Sequence, residues 1–351
     1  MAMRSLIPLV EELSPASLTV VAQTISANNT GRLRWPLFFP RQNVDSVDLK
    51  EVTTIDFRPV SDRREWNSRG RLIPDITPPV RELAMIPVEG YYKWDEYEMQ
   101  KLSERANANS EVINQILGRS IPGKVAQIVE ANDRRIEVDA FTAWATGTNV
   151  AKNPQTGTTH TVSFGFAADR LTTAGTAWDD AGQNAYDLLI SFLEDAQDKI
   201  GPVVGVVLRT ALHRAIHADA PNGPLGTIIP RGRLAESVSD DLGIPFNFFL
   251  FDDTLDVFND GGTATTATNV WPAGYIAAVP SGGAVGRTVF APVRRAMELV
   301  GSLPNSGIDQ RGQTVYYEEG VTGRDLTVEV QVNPFTIPNE QKLRVENTLV
   351  T

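Results

Sequence analysis

The stretch "VAQIVEANDRRIEVDAFTAWATG", residues 125–147, carries Val125, Ile128, Val129, Ile136, Ala140 and Ala143 at spacings that include three, four and seven. Such spacing lines one face of a helix with apolar side chains. A second, weaker row runs through Ala131, Val138, Phe141 and Ala145. One member of the main row is polar: Asn132 stands where an apolar residue is expected. Gly147 ends the pattern, as a glycine just past the last turn commonly does. Upstream, Ser120 reads as the cap, with Pro122 tolerated in the first turn. A helix between these limits is roughly 40 Å long at 1.5 Å per residue. No heptad repeat flanks it, so the first question is what a single long, half-buried rod is for.

The segment before it answers in a different register. Residues 1–30 begin apolar and drift into "TISANNTG", which reads as a short helical or extended arm around 9–27 and a turn at Asn28–Gly31. Residues 31–90 contain Pro36, Pro40, Pro59, Pro74, Pro78, Pro79 and Pro87, a density that argues against helix over most of the segment. "SVDLKEVTTIDFRPV" (46–60) and "RELAMIPVEG" (81–90) are β-rich and bounded by turn residues. Between them, "SDRREWNSRGRLIPDITPP" is too polar to bury much of its own surface. The pattern predicts a long two-stranded excursion from the body. A lone hairpin is marginal in water, so a neighbouring subunit is its natural cover.

Residues 94–105 and 110–117 read as helical pieces before the long helix. After Gly147, "NPQTGTTHTVSFGF" (153–166) gives a hairpin signal, with His160, Val162 and Phe164 on one face. Residues 177–201 read as an amphipathic helix through Ala185, Leu188, Leu189, Phe192, Leu193 and Ala196. Residues 202–300 read as a compact α/β unit. Strands are expected at 202–210, 245–253, 272–280 and 287–292, helices at 211–219, 233–243 and 293–300, and a loop tip at 259–269. The C-terminus returns to strands around turns near Gly320–Gly323 and Pro338–Gln341. The chain thus leaves a first unit and comes back to it.

Composition narrows the chemistry. The 351 residues include no cysteine, which removes disulfides, thiolate metal sites and cysteine nucleophiles. No apolar run approaches the 18 or so residues of a membrane span. "MAMRSLIPLVEELSP" is too short in its apolar part for a signal peptide, so an intracellular product is expected. The net charge of −11 is uneven: residues 1–90 hold 11 basic and 11 acidic residues, and the deficit falls wholly in 91–351. A neutral, arginine-bearing first quarter and an acidic remainder suit contacts between opposite surfaces of neighbouring subunits better than tight nucleic-acid binding.

Candidate chemical motifs are weak. His213 and His217 share a helix face, but HRAIH lacks the glutamate of a zinc-protease helix and reads as two surface histidines. "SGGAVGR" (281–287) lacks the ending of a phosphate loop and leads into a strand; it and "IPGKV" (121–125) read as turns. Paired acids such as Asp252–Asp253, Asp179–Asp180 and Glu318–Glu319 read as solvated. GxSxG does not occur, and a hydroxyl nucleophile would have only three histidines to partner it. The informative cluster is Arg58, Arg63, Arg64, Trp66, Arg69 and Arg71. Asp56, Asp62 and Glu65 are interleaved with it, and mixed signs around a tryptophan suit a protein interface.

The order of these segments resembles the tailed-phage major capsid proteins, and most closely the lambda-type group called major capsid protein E. "IVEANDRRIEVDAFTAWATGTNV" (128–150), "FGFAADRLT" (164–172), "VGRTVFAP" (285–292) and "VQVNPFTIPNEQKLRVENTLV" (330–350) carry the likeness, and the order covers nearly the whole chain. The resemblance implies an α+β Hong Kong 97 fold. It implies an N-arm (1–30), an extended E-loop (31–90) and a P-domain (91–185 and 301–351) with a spine helix at about 120–147. An A-domain would occupy 186–300. It further implies a virion protein without enzyme activity or cofactor, assembled in the host cytoplasm. Such subunits form hexamers and pentamers of an icosahedral shell around double-stranded DNA held without sequence specificity. The long helix would be the rigid spine of a tile, and the proline-rich excursion would lie over the next tile.

Some relatives cross-link through an E-loop lysine. The one lysine here, Lys50, sits on the strand away from the tip, so that chemistry is not carried over. Only about 90 residues precede the helices, so the resemblance points to a separate scaffolding protein, with a portal and a possible decoration protein as further partners. Two alternatives remain at this point. One is an encapsulin-like shell. The other is an α/β enzyme built on 202–300 with His213, Asp252 or Asp253 in a pocket.

Overall fold

The computed structural model describes residues 14–46, 48–52, 80–85, 87–105, 110–152, 159–220, 230–258, 265–302, 308–319 and 326–350. The first part of the chain gives helices α1 (Pro15–Thr30) and α2 (Trp35–Phe38) and strands β1 (Arg41–Asn43), β2 (Asp48–Val52), β3 (Val80–Ala84) and β4 (Val88–Trp94). Helices α3 (Glu96–Arg105) and α4 (Ser110–Thr146) follow, then strands β5 (Thr148–Lys152), β6 (Thr159–Ser163) and β7 (Leu171–Thr173). Next come α5 (Ala185–Ile200), β8 (Val203–Leu208), α6 (Thr210–Asp219), α7 (Leu234–Leu242), β9 (Asn247–Leu250), β10 (Thr254–Phe258) and β11 (Thr265–Asn269). The chain closes with β12 (Tyr275–Pro280), β13 (Gly286–Ala291), α8 (Arg294–Ser302), β14 (Thr314–Glu319), β15 (Leu326–Pro338) and β16 (Val345–Asn347).

The long helix exists and is longer than the sequence suggests. Ser120 is not its cap, and "IPGKV" is not a turn: both lie inside the 37-residue α4, with Pro122 interior. An interior proline costs about 3 kcal/mol. Its neighbours Ile121 and Val125 are 1% and 0% exposed, and two such burials, each about 1.5–3 kcal/mol, offset it. Gly147 ends the helix as expected. Its φ is +66°, and its N–H donates to Ala143 O at 3.0 Å.

The first sheet is organised by β15. The alternation in "LTVEVQV" buries Leu326, Val328, Val330 and Val332 on one face. Over this half β15 pairs antiparallel with both β4 and β14. Its second half pairs with β13, to which β1 adds in parallel. The strand read at 287–292 therefore belongs to this sheet. The inner face packs on the first half of α4, around Ile121, Val125, Ile128 and Val129. Gly90 permits the close approach of β4, since a Cβ there would lie 2.6 Å from Ile128 Cγ2.

The second sheet has the order β7-β16-β12-β8-β9. The apolar run "VVGVVL" is a strand buried on both faces, which is why it lacks alternation. Leu208, Ile276 and Ala278 face α5, α6 and α7, while Val207, Ala277 and Val279 face an aromatic cluster. That cluster holds Trp35, Phe38, Phe141, Trp144, Phe251 and Trp271. Trp144 lies 5.0 Å from Phe38 and 5.4 Å from Trp271 between ring centroids. Helix α4 thus touches the first sheet with its first half and the second sheet's aromatic layer with its last turns. The rod ties two β layers into one body.

Several boundaries differ from the sequence reading. Residues 178–183 form turns, and the helix read from 177 begins at Ala185, where Asn184 Oδ1 accepts from the N–H groups of Tyr186 and Asp187. Part of the supposed loop tip, 265–269, is strand β11, paired antiparallel with β10. The hairpin signal after Gly147 is met by β5 and β6, whose connecting residues 153–158 lie outside the described set.

Candidate assembly surface

Arg58, Arg63, Arg64, Trp66, Arg69 and Arg71 all lie outside the described residues. The structure does describe the two strands that flank them in sequence. Strands β2 and β3 pair antiparallel from Asp48↔Ala84 to Val52↔Val80, so residues 48–52 and 80–84 run side by side. The pair joins no other described strand. Lys50 sits on this ladder opposite Glu82. Strand β3 leads into β4 and so to the face of α4.

Two arginines hold the chain just before β2. Arg41 donates from Nη2 to Asp309 Oδ2 at 2.9 Å, and its guanidinium lies 4.4 Å from the Phe290 ring centroid. Arg311 donates from Nε to Val44 O at 3.0 Å and pairs with Asp45. Exposed ion pairs contribute little singly, but here they are joined to a backbone hydrogen bond and a ring contact around residues 41–45. Further along the chain, β4 turns Glu89, Tyr91 and Lys93 outward while Tyr92 and Trp94 face in. Tyr91 is 69% exposed and lies opposite Glu329, which in turn lies opposite Tyr316. The sequence analysis did not single out Tyr91, although the alternation in "VEGYYKW" carries the signal.

The residues considered for catalysis have structural roles. His213 is buried rather than at the surface, with its ring edge-on to Phe248 at 4.9 Å. Burial, then the nearby His217 and Arg231, hold its pKa below the ordinary value. Asp252 accepts from Thr210 N at 2.9 Å and from the Thr210 hydroxyl, so it satisfies the first turn of α6. Its neighbour Asp253 pairs with Arg34 at 3.4 Å. "SGGAVGR" is a turn, with Gly282 and Gly283 at positive φ, and it delivers the chain from β12 to β13. Among the described residues, no three histidine or carboxylate side chains gather as a metal site would require. No helix among them is long and apolar enough to cross a membrane.

Polar groups are buried instead along α4. Asn132, the exception in the apolar row, is 3% exposed and donates to Gln313 Oε1 at 3.0 Å and to Val330 O at 3.1 Å. Asp133 and Glu137 are 4% and 8% exposed and face the N-terminal segment.

No family model and no curated protein matches the sequence. Solved structures do match. A prophage protein of Escherichia coli CFT073, assigned as a capsid protein, superposes with a TM-score of 0.51 at 13% identity. The match covers 89% of this chain and 92% of that one. A phage-related protein of Bordetella bronchiseptica RB50 follows at TM-score 0.43 and 9% identity, over 93% and 96% of the two chains. A chain of the satellite phage P4 procapsid gives 0.43 and 10%, over 93% and 98%. The mixed helix-and-sheet fold of this chain is similar to that of the prophage capsid protein.

Proposed function

We propose that this chain is the major capsid subunit of a tailed double-stranded DNA phage and assembles into hexamers and pentamers of an icosahedral shell. The observation that carries the reading is the likeness to the prophage capsid protein over nine-tenths of both chains. The pairing of β2 with β3 supports it, because a two-stranded ladder outside any larger sheet gains its stability from a covering surface.

In this reading residues 1–30 are the N-arm, 31–90 the E-loop, 91–185 with 301–351 the P-domain, and 186–300 the A-domain. Helix α4 is the spine that keeps the tile stiff. Arg58, Arg63, Arg64, Trp66, Arg69 and Arg71 dock the E-loop on an acidic neighbour. The shell encloses packaged DNA without sequence specificity, and a subunit of net charge −11 does not grip it. Scaffold, portal and any decoration protein are separate chains.

Deletion of residues 61–71, followed by sedimentation, tests the reading. The deleted chain should stay folded and sediment as small oligomers, whereas the full chain sediments as shell-sized particles. Unimpaired shells from the deleted chain would overturn the role assigned to the loop.

A further inference from the structure

Helix α1 lies across α4 and β14, and its two halves hold on differently. The first half inserts Leu18 and Ala22 beside Val125, Val129 and Val315, and the Thr19 hydroxyl accepts from Val315 N at 3.0 Å. The second half packs Ile25 on the same cluster, bonds the Asp309 backbone through Gln23, and adds polar contacts to a buried carboxylate. Ser26 Oγ donates to Asp133 Oδ1 at 2.8 Å, and Asn29 Nδ2 donates to Asp133 Oδ2 at 3.2 Å. Gln313 Nε2, from the segment entering β14, supplies a third donor at 3.0 Å.

All three donors are neutral. The 16 residues of α1, PASLTVVAQTISANNT, contain no ionisable side chain. Beyond the turn at Gly31, the chain is anchored again by Trp35, Phe38 and Phe39, which are 3%, 3% and 0% exposed. Lifting α1 would therefore rehydrate Asp133 without disturbing the aromatic core.

We infer that α1 is a releasable strap whose docking over Asp133 is coupled to the protonation of that carboxylate. Covering a carboxylate with neutral donors only costs more when it is charged than when it is neutral. The other charges near Asp133 are accounted for. Arg41 acts on it at longer range and is itself paired with Asp309. Arg311 pairs with Asp45. On α4 itself, Arg134 pairs with Glu130 and Arg135 with Asp139. Glu137 is the second buried carboxylate on this face, one turn on. It accepts from Arg34 N at 2.7 Å, past the end of the strap, and Arg34 and Asp253 are the charges that act on it.

The direction of the coupling follows. Burial raises the pKa of Asp133 above its ordinary 3.8, against the three hydrogen bonds and Arg41. The docked state thus binds the proton more tightly than the lifted state. Docking is strongest below the ordinary value and weakens as pH rises through the raised one. The inference stands on this local geometry and does not depend on the capsid reading.

Hydrogen exchange of the full chain, corrected for the intrinsic rate, tests it between about pH 4 and about pH 8, with residues 326–338 as the internal reference. Protection of 15–30 relative to the reference should fall as pH rises, by up to about tenfold for each unit by which the pKa is raised. Asp133→Asn should abolish that slope and keep protection high, while Glu137→Gln should leave the slope in place. Ser26→Ala combined with Asn29→Ala is the second variant, and it should lose more protection at the upper pH than at the lower. A slope that survives Asp133→Asn, a slope shared equally by the reference strand, or a flat wild-type profile would each overturn the inference. If Asp133→Asn does not fold, equal losses at both pH values in the Ser26/Asn29 variant would do so.

Discussion

Arg344 donates from Nε to Oδ2 of Asp195 at 2.5 Å, which fastens the segment entering β16 to helix α5. The guanidinium also donates from Nη1 to Thr172 Oγ1 at 2.7 Å and lies 5.0 Å from the Phe192 ring centroid. Glu346 closes the set, accepting from Thr172 Oγ1 and from Trp178 Nε1. Arg344 is 5% exposed, whereas the Asp195 side chain is 38% exposed. One charge is buried and the other can reach water.

Arg344→Met should therefore cost less than the loss of a fully buried pair. We expect a destabilisation of about 2–3 kcal/mol in denaturant unfolding, below the 3–5 typical when a buried charge is stranded. Burial alone would raise the pKa of Asp195, but the hydrogen bonds from Lys199 and Arg344 hold it below the ordinary 3.8. The wild-type contribution of this pair is present above that ordinary value and is lost as pH falls through the lowered one. A variant as stable as the wild type would show that packing on Phe192, not charge, holds the segment.

Asp139 predicts the opposite pH trend. Burial raises its pKa from 3.8 to about 6, against the attraction of Arg135 at 2.9 Å. A raised carboxylate is a burden when charged, so stability should rise as pH is lowered from neutral through about 6 and level off below the ordinary value. Two units correspond to roughly 2–3 kcal/mol at most. Asp139→Asn should flatten this part of the profile. The residual slope would belong to Asp133 and Glu137, whose pKa values burial also raises. Thermal unfolding from about pH 4 to about pH 8 reads the difference.

Asn132→Leu tests whether the polar gap in the apolar row is a defect. On periodicity alone, leucine there should stabilise the helix face. The structure predicts a loss of about 1–2 kcal/mol, because Gln313 Oε1 and Val330 O would lose a buried donor. A more stable variant in denaturant unfolding would contradict the role given to this network.

Trp66→Ala concerns assembly. The proposal expects folded subunits with unchanged circular dichroism and a raised concentration threshold for particle formation. An anchor residue of this kind is worth about 2 kcal/mol or more in an interface. Particle yield unchanged across the concentration range would remove Trp66 from the interface.

The parts of the fold legible in sequence are those set by local pattern. The apolar row of α4, the stop at Gly147 and the alternation of β15 each follow from spacing. The α6–α7 region was legible too, because short amphipathic runs end at clear punctuation. What spacing did not carry was long-range satisfaction. Asn132 looked anomalous because its partners, Gln313 and Val330, are nearly 200 residues away in sequence. Pro122 read as a first-turn residue because the burial of Ile121 and Val125 that offsets it is tertiary. His213 read as exposed because nothing in HRAIH reveals Phe248. Strand β13 was grouped with its sequence neighbours, although its partner is the second half of β15. The arginine–tryptophan cluster is an interface by expectation from composition alone, and it lies on residues outside the described set.

Negative-stain electron microscopy of the purified protein, expressed alone and with its neighbouring genes, is the most direct test of the central claim. The account predicts closed shells, tubes, or rings of five and six subunits in at least one condition. A uniform monomer or dimer under both conditions would contradict it.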